Sequence, residues 1–202
     1  MATDDSATFQ VDGDAIAMNG VIDCTTAGRF FALLDATPGV TTLRLDYVPG
    51  SDDDDANFIF GQQVHERGLH THVPDLRLNP GSASAGERVA AGLIASGGVD
   101  LFLAGIERTV GEGACLGVHS WEDEAGVQGG DLPPDDETHD LYLDYFAAIG
   151  YALGRDFYFY TLGVAPAERL HYMSRAELEQ FDMVTADLPS QSCPLPDEAV
   201  LP

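Results

Sequence analysis

The chain has 202 residues, of which 45% are hydrophobic, and its 34 acidic and 9 basic residues give a formal net charge of -25. This length and hydrophobic content are typical of a single domain with one sizeable core. The charge argues against nucleic acid and anionic membrane surfaces as partners, because both would be repelled. The acidic residues are spread along the chain and every basic residue is arginine. This pattern favours a solubilising surface, suited to high salt, over a dedicated cation-binding role.

The apolar stretches and the cysteines give little information on the cellular compartment of the protein. No stretch is long enough to span a bilayer, and residues 1–20 lack the basic and apolar regions of a signal peptide. We therefore expect no membrane insertion, and a protein that is either cytoplasmic, or periplasmic or secreted after signal removal. Cys24, Cys115 and Cys193 have no metal-ligand spacing. Free buried thiols are the expectation, and a Cys24–Cys115 disulfide is the alternative.

The hydrophobic periodicity alternates between that of strands and that of helices. Strands are predicted at residues 8–12, 15–22, 40–48, 69–73, 114–119 and 156–162, the last with a helix as the alternative. Helices are predicted from Thr25 or Thr26 to before Pro38, from the acidic run Asp52–Asp55 to Gly68, over 97–106 and over Thr138–Tyr151. A short helix is predicted to begin at about Gly86. A final helix is predicted after Ser174, which forms a capping box with Glu177. The alternation predicts an α/β protein with parallel strands joined by right-handed crossovers.

Three other segments carry simpler expectations. Asn19-Gly20 is a turn or bulge signal. Residues 122–137 are acidic and rich in glycine and proline, which predicts a surface loop near the candidate site. The Pro-rich tail from Pro189 is expected to be frayed.

Two features of the sequence, an acidic run and three histidines, raise the question of metal binding. The run Asp52–Asp55 lacks the spaced oxygen ligands of a calcium loop, so helix capping is favoured. His70 and His72 share one face of a strand and His65 lies on the preceding helix, but no fourth zinc ligand is evident. We therefore expect no metal and no cofactor.

The stretch from Leu93 to Trp121 contains the strongest candidate for chemistry. Ser96 is followed by two glycines and an apolar run, which places it at the start of a helix with free backbone N–H groups. His119 ends the next predicted strand and could accept the serine proton. This pair predicts a serine–histidine hydrolase site, and the plain alternative is a capping serine and a core histidine.

The order of several motifs resembles the Clp protease proteolytic subunit and its relatives in the crotonase-like superfamily. The motifs run in family order: Asn19–Ile22, Leu45–Ser51, Ala95–Gly98, Ala104-Gly105 with Arg108, Gly117–His119, and Met173-Ser174 with Glu177. The chain resembles still more closely an uncharacterised, often predicted periplasmic, branch of that superfamily, which has a strand similar to Gly68–Val73.

The resemblance implies a ClpP/crotonase-like spiral of ββα units, with a mainly parallel sheet and flanking helices, as a single domain over residues 1–188 before the tail 189–202. It implies a nucleophile at Ser96, a general base at His119, and an oxyanion hole made by the N–H groups of Gly50, Ser51 and Gly97. Ser51 stands where the family has a second glycine.

The acid of the family's triad has no direct counterpart, because Leu170 occupies its position. Glu168 is the first substitute, with Asp123, Asp140 and Asp144 as alternatives. A competing nucleophile is Ser84, in a Gly-Ser-Ala-Ser-Ala-Gly stretch, but the motifs that follow Ser96 favour Ser96.

We therefore expect a serine hydrolase that cleaves a small ester or peptide through an acyl-serine intermediate, and that forms a homo-oligomer. The alternative is a catalytically weak or inactive relative that acts as a binding or assembly module. Acyl-CoA chemistry is less favoured, because this acidic chain shows no basic patch for the CoA phosphates.

Overall fold

The computed structural model of the protein describes residues 6–79, 89–123 and 125–199. The strands are β1 (Thr8–Asp12), β2 (Ala15–Asn19), β3 (Thr42–Val48), β4 (His70–Val73), β5 (Arg77–Leu78), β6 (Val89–Ala91), β7 (Leu93–Ala95), β8 (Arg108–Val110), β9 (Cys115–Val118), β10 (Arg169–Tyr172) and β11 (Glu198–Ala199). The helices are α1 (Thr26–Ala36), α2 (Asp54–Glu66), α3 (Gly97–Leu103), α4 (Asp140–Ala148), α5 (Gly154–Val164) and α6 (Arg175–Gln180).

A nine-stranded, mainly parallel sheet forms the centre of the fold, which confirms the predicted class. Its main order is β1-β2-β3-β7-β9-β10-β11, with β4 beside β3 and β8 beside β4. The pairs β2–β3, β3–β4, β3–β7, β4–β8 and β7–β9 are parallel. The first part of β3 pairs with β4, whereas its last residues, Tyr47 and Val48, pair with β7.

The parallel strands bring three chain segments to one edge of the sheet. Gly50 follows β3, Ser96 follows β7 and His119 follows β9. Because β3, β7 and β9 are adjacent and parallel, the residues after their carboxyl ends lie close together. The strand order therefore assembles the candidate site.

Aromatic packing closes the core between the sheet and the helices. Phe30 of α1 lies 5.2 Å from Phe60 of α2 between ring centroids, and Phe58 of α2 stacks on Tyr145 of α4 at 4.4 Å. These rings bury large apolar areas, so α1, α2 and α4 are held against each other. This packing fixes the position of the first turn of α2, which borders the site.

Several local predictions are confirmed. The register of β2 against β3 shifts between Met18 and Asn19, as the Asn19-Gly20 signal indicates. Asp53 caps α2 by accepting a hydrogen bond from the N–H of Ala56 at 3.0 Å. Ser174 and Glu177 form the predicted capping box of α6.

The predicted strand at 156–162 was wrong, and its helical alternative is confirmed as α5. Phe157, Tyr158 and Leu162 are buried, which is the i, i+1, i+5 pattern of one helix face. A run of aromatic residues has similar preferences in both structures, so packing against α4 decided between them.

The cysteine and tail expectations were also wrong. Cys115 forms a disulfide with Cys193, 78 residues away, and Cys24 is an exposed free thiol. The disulfide and the pairing of β11 with β10 hold the described part of the tail, up to residue 199, against the sheet. The tail is therefore tied down rather than frayed.

Candidate active site

Ser96 occupies a sharp turn between β7 and α3. Its backbone angles, φ 51° and ψ -129°, lie in a region that non-glycine residues rarely adopt and that costs about 1–3 kcal/mol. The turn is held by a hydrogen bond from the Ser96 N–H to the Gly117 carbonyl at 2.9 Å. A serine on a strained strand-to-helix turn presents its hydroxyl away from the sheet, as nucleophilic serines require.

Two glycines, Gly50 and Gly97, are tightly packed next to Ser96. A Cβ atom added to Gly50 would lie 3.4 Å from the Ser96 Cβ, and Gly50 itself has a φ of 155°. A Cβ atom added to Gly97 would lie 2.5 Å from the Ser51 Oγ, so only glycine fits there. Among the described residues, the N–H groups of Gly50, Ser51 and Gly97 have no hydrogen-bond acceptor.

His119 is oriented by a backbone carbonyl. Its Nδ1 lies 2.7 Å from the Ser120 oxygen, and because a carbonyl only accepts, Nδ1 must carry the proton. The other nitrogen, Nε2, is then a free acceptor, and it is buried without a partner in the part of the chain that the structure describes. Burial lowers the pKa of His119 below its usual 6.5, although the Ser120 bond and the Asp54 charge oppose this. The imidazole is therefore neutral and basic at pH 7.

Asp54, the first residue of α2, is fixed by two side chains. Ser51 Oγ donates to Asp54 Oδ1 at 3.1 Å, and the Tyr142 hydroxyl donates to Asp54 Oδ2 at 2.6 Å. Burial, together with the neighbouring Asp54 charge, raises the pKa of Tyr142, so this hydroxyl stays protonated as a donor. Asp54 is thus an oriented carboxylate whose charge acts on His119.

A cavity of about 70 Å³ joins these groups. Ser96, Gly97, His119, Asp54 and Asp100 all line it. Burial, and then the Asp54 charge, raises the pKa of Asp100 from 3.8 to about 8. The cavity therefore places a hydroxyl, a neutral imidazole and two carboxyl groups around one small volume.

Aromatic side chains form the far wall of this cavity. Tyr142 stacks between Trp121 and Tyr158, with ring centroids 6.3 Å and 4.9 Å away. Trp121 Nε1 donates to the Tyr158 hydroxyl at 2.8 Å, and that hydroxyl lies 2.8 Å from Nδ1 of the buried His139. These stacking contacts and hydrogen bonds hold the wall in one arrangement.

The structure separates the other predicted acids from this cavity. Glu168 lies exposed in the turn before β10, and Asp140 and Asp144 are exposed on α4. Asp123 accepts hydrogen bonds from the N–H groups of Ala125 and Val127 within its own turn. None of these four carboxylates lines the cavity. Ser84, and the helix predicted from about Gly86, lie outside the described residues.

Two of the three histidines considered for zinc make other hydrogen bonds. His65 Nδ1 lies 3.1 Å from the Ala104 carbonyl, and His72 Nδ1 lies 2.8 Å from the Thr109 hydroxyl. Within residues 6–79, 89–123 and 125–199, no group of three or more His, Cys, Asp or Glu side chains could hold a metal ion.

Three groups of the site were not predicted from the sequence. Asp100 is the one acidic residue in the apolar run after Ser96 and follows it by four positions, so its place on the same helix face was a readable signal. Nothing in the sequence distinguishes Asp54 from the other aspartates of the run Asp52–Asp55. The Ser120 carbonyl is backbone and gives no sequence signal.

No family model and no curated protein matches the chain. Solved structures do resemble it. A putative enoyl-CoA hydratase from Streptomyces avermitilis matches with a TM-score of 0.50 and 13% identity, over 91% of this chain and 67% of that one. A mutant of a membrane-bound stomatin-specific protease, in complex with a substrate peptide, matches with a TM-score of 0.50 and 13% identity, over 84% of this chain and 72% of that one.

These neighbours are enzymes of two reaction types, a hydratase and a protease. At this level of identity they establish the fold and leave the chemistry to the residues of the site. Across the described residues, none of the helices is both long and apolar enough to cross a membrane.

The likeness to these solved structures shows that the chain has the fold of the ClpP/crotonase-like superfamily, as the order of its motifs predicts.

Proposed function

We propose that the protein is a serine hydrolase that cleaves an ester or peptide bond through an acyl-Ser96 intermediate. One observation carries the proposal: Ser96 and the neutral His119 line the same cavity. The buried Nε2 of that histidine has no partner among the described residues. Nucleophilic catalysis requires a serine beside a basic imidazole, and Ser96 and His119 line the same cavity.

The reaction follows from these positions. Ser96 Oγ attacks the substrate carbonyl carbon while His119 Nε2 takes the hydroxyl proton, and the carbonyl oxygen becomes an oxyanion. The N–H groups of Gly50, Ser51 and Gly97 donate to that oxygen. The C–O or C–N bond breaks as Nε2 returns the proton to the leaving group, and a water molecule then releases the acyl group by the same two steps.

The reaction does not need a triad aspartate. The Ser120 carbonyl holds the Nδ1–H of His119, which fixes the tautomer and ring orientation that an aspartate fixes in a triad. The Asp54 charge favours the imidazolium that forms during the attack. We therefore assign the positioning role to Ser120 and Asp54 and leave Glu168, exposed outside the cavity, without a role in this step.

Labelling with a fluorophosphonate tests the nucleophile. We expect the parent protein to be labelled, Ser96→Ala to be unlabelled, and His119→Ala to react about 10²–10⁴ times more slowly, because it lacks the general base. His72→Ala is the matched control, because His72 lies outside the cavity and pairs with Thr109. Labelling that persists in Ser96→Ala and disappears in Ser84→Ala would move the nucleophile to Ser84.

A panel of small esters and peptides tests turnover. We expect turnover of esters or peptides that Ser96→Ala abolishes. An unlabelled parent protein that turns over no ester and no peptide would overturn the proposal in favour of a binding module.

We also propose a homo-oligomer. Ile59 on α2 and Leu141 on α4 are 54% and 44% exposed, and their neighbours Phe58 and Tyr142 are in contact at 5.2 Å between ring centroids. Exposed apolar side chains on adjacent helices favour an interface between copies. Light scattering coupled to size-exclusion chromatography measures the mass, and a monomer of 21.5 kDa would contradict this proposal.

A further inference from the structure

The charges around the cavity are unbalanced. Asp54 and Asp100 both line it, and neither arginine nor lysine is among its lining residues. His119 does not supply a positive charge, because burial lowers its pKa. The cavity is therefore acidic, and the proposed nucleophile Ser96 lines it.

The Asp100 carboxyl has no hydrogen-bond partner among the described residues. Its main chain is satisfied, since the Tyr145 hydroxyl donates to the Asp100 backbone oxygen at 2.7 Å. The carboxyl is left beside the Asp54 charge. A half-buried carboxyl that lacks both a donor and a counter-charge gains from a ligand that brings both.

The size and walls of the cavity limit that ligand. At about 10–15 Å³ for each water-sized group, the 70 Å³ of the cavity holds about five to seven heavy atoms. A lysine side chain has five beyond its Cα. The rings of Trp121, Tyr142 and Tyr158 suit the methylene groups of such a chain, and aromatic rings also attract ammonium groups.

We propose that this cavity binds a cationic side chain of the substrate, an alkylammonium group held by Asp54 and Asp100, and that the enzyme prefers lysine-like acyl groups. This inference rests on the proposed hydrolase function. An apolar acyl chain of the same size would fill the space but would leave Asp54 without a counter-charge and the Asp100 carboxyl without a hydrogen-bond partner.

Binding of the cation is coupled to release of a proton. Burial and the Asp54 charge raise the pKa of Asp100 to about 8, which favours its protonated form at neutral pH when no cation is bound. The titratable groups that face it are Asp54 from α2, His119 after β9, Tyr142 and Tyr145 from α4, and Tyr158 from α5. An ammonium group favours the ionised form of Asp100, so cation affinity rises about tenfold per pH unit up to pH 8.

Two matched substrates test the preference at constant ionic strength. One is an activated ester of Nα-acetyl-lysine, and the other is the ester of Nα-acetyl-2-aminoheptanoic acid, in which a methyl group replaces the ammonium. We expect kcat/KM at pH 8 to be at least tenfold higher for the lysine ester. The ratio should fall in Asp100→Asn, in which Asp54 alone remains, and persist in Asp156→Asn, which removes an exposed charge on α5.

Equal kcat/KM values for the two esters, or an unchanged ratio in Asp100→Asn, would overturn the inference while hydrolysis by Ser96 stands.

Calorimetric titration with n-pentylammonium measures the cavity without catalysis. Parent and Ser96→Ala should bind it, with affinity rising from pH 6 to pH 8 and with a proton released, whereas Asp100→Asn should bind at least tenfold more weakly. Binding without hydrolysis of any ester would overturn the proposed function alone. Absence of binding, or binding of equal strength at pH 6 and pH 8, would overturn the cation site.

Discussion

His119 and Ser96 are each held by a neighbouring backbone group rather than by a side chain. The Ser120 carbonyl accepts from His119, and the Gly117 carbonyl accepts from the Ser96 N–H. Backbone groups on strand ends have fixed positions, so the two side chains need no dedicated partner to be oriented. In the proposed hydrolase these backbone contacts take the place of the usual acid, whose position Leu170 occupies.

The pH dependence of kcat/KM for the uncharged Nα-acetyl-2-aminoheptanoic ester tests the environment of His119, because this substrate does not need an ionised Asp100. Activity requires the neutral imidazole, and burial lowers its pKa, so the acid limb of the profile should lie below pH 6.5. Asp54→Asn should move this limb further down, because the Asp54 charge raises the pKa of His119. Asp156→Asn should leave the limb in place, and a limb above pH 6.5 in the parent protein would contradict the assignment.

At the scale of elements, α6 is fixed by interactions that converge on Glu177. The Ser174 N–H donates to Glu177 Oε2 at 2.6 Å, the Tyr160 hydroxyl donates to Oε1, and His171 Nε2 lies 3.0 Å from Oε1. Burial raises the pKa of Glu177, but these hydrogen bonds outweigh it and lower the pKa from 4.5 to about 2. The ionised carboxylate therefore joins α5, β10 and α6.

Replacement of Glu177 tests this junction. Its folded-state pKa is below the usual 4.5, so its stabilisation is complete above pH 4.5 and is lost as the pH falls towards 2. Glu177→Gln should lower the free energy of unfolding by about 1–3 kcal/mol at pH 7. The deficit should shrink at pH 3, as measured by urea denaturation. Glu179→Gln, exposed on the same helix, is the control, and an equal effect in both variants would contradict the junction.

At the scale of the whole molecule, one covalent link joins the centre of the sheet to the tail. Cys115 lies in β9, between β7 and β10, and Cys193 lies in the tail before β11. The link closes a loop of 78 residues that contains α4, α5 and α6. Closing so long a loop restricts the unfolded chain strongly.

Removal of this link tests its contribution. Cys193→Ser should lower the free energy of unfolding by about 2–5 kcal/mol, because the unfolded chain regains its freedom. Reduction of the parent protein should have the same effect. Cys24→Ser is the matched control, since that thiol is exposed and unpaired. Equal midpoints of urea denaturation for Cys193→Ser and the parent protein would contradict this prediction.

The sequence by itself determined the features that depend on neighbours in the chain. The capping box at Ser174, the acidic start of α2 and the alternation of strands and helices were all predicted, because they require only residues within a few positions. The serine before two glycines and the histidine after a strand were likewise visible, and together with the motif order they indicated the fold.

The tertiary structure decided what depends on residues distant in the chain. Asp54 and Asp100 share a cavity only because α2 packs on α3. Cys115 meets Cys193 rather than Cys24 because the tail returns beside β10. The aromatic run at 156–162 became a helix because α4 offered it an apolar surface. In each case the free energy comes from a contact between segments far apart in the chain, and such contacts leave no local pattern to be read.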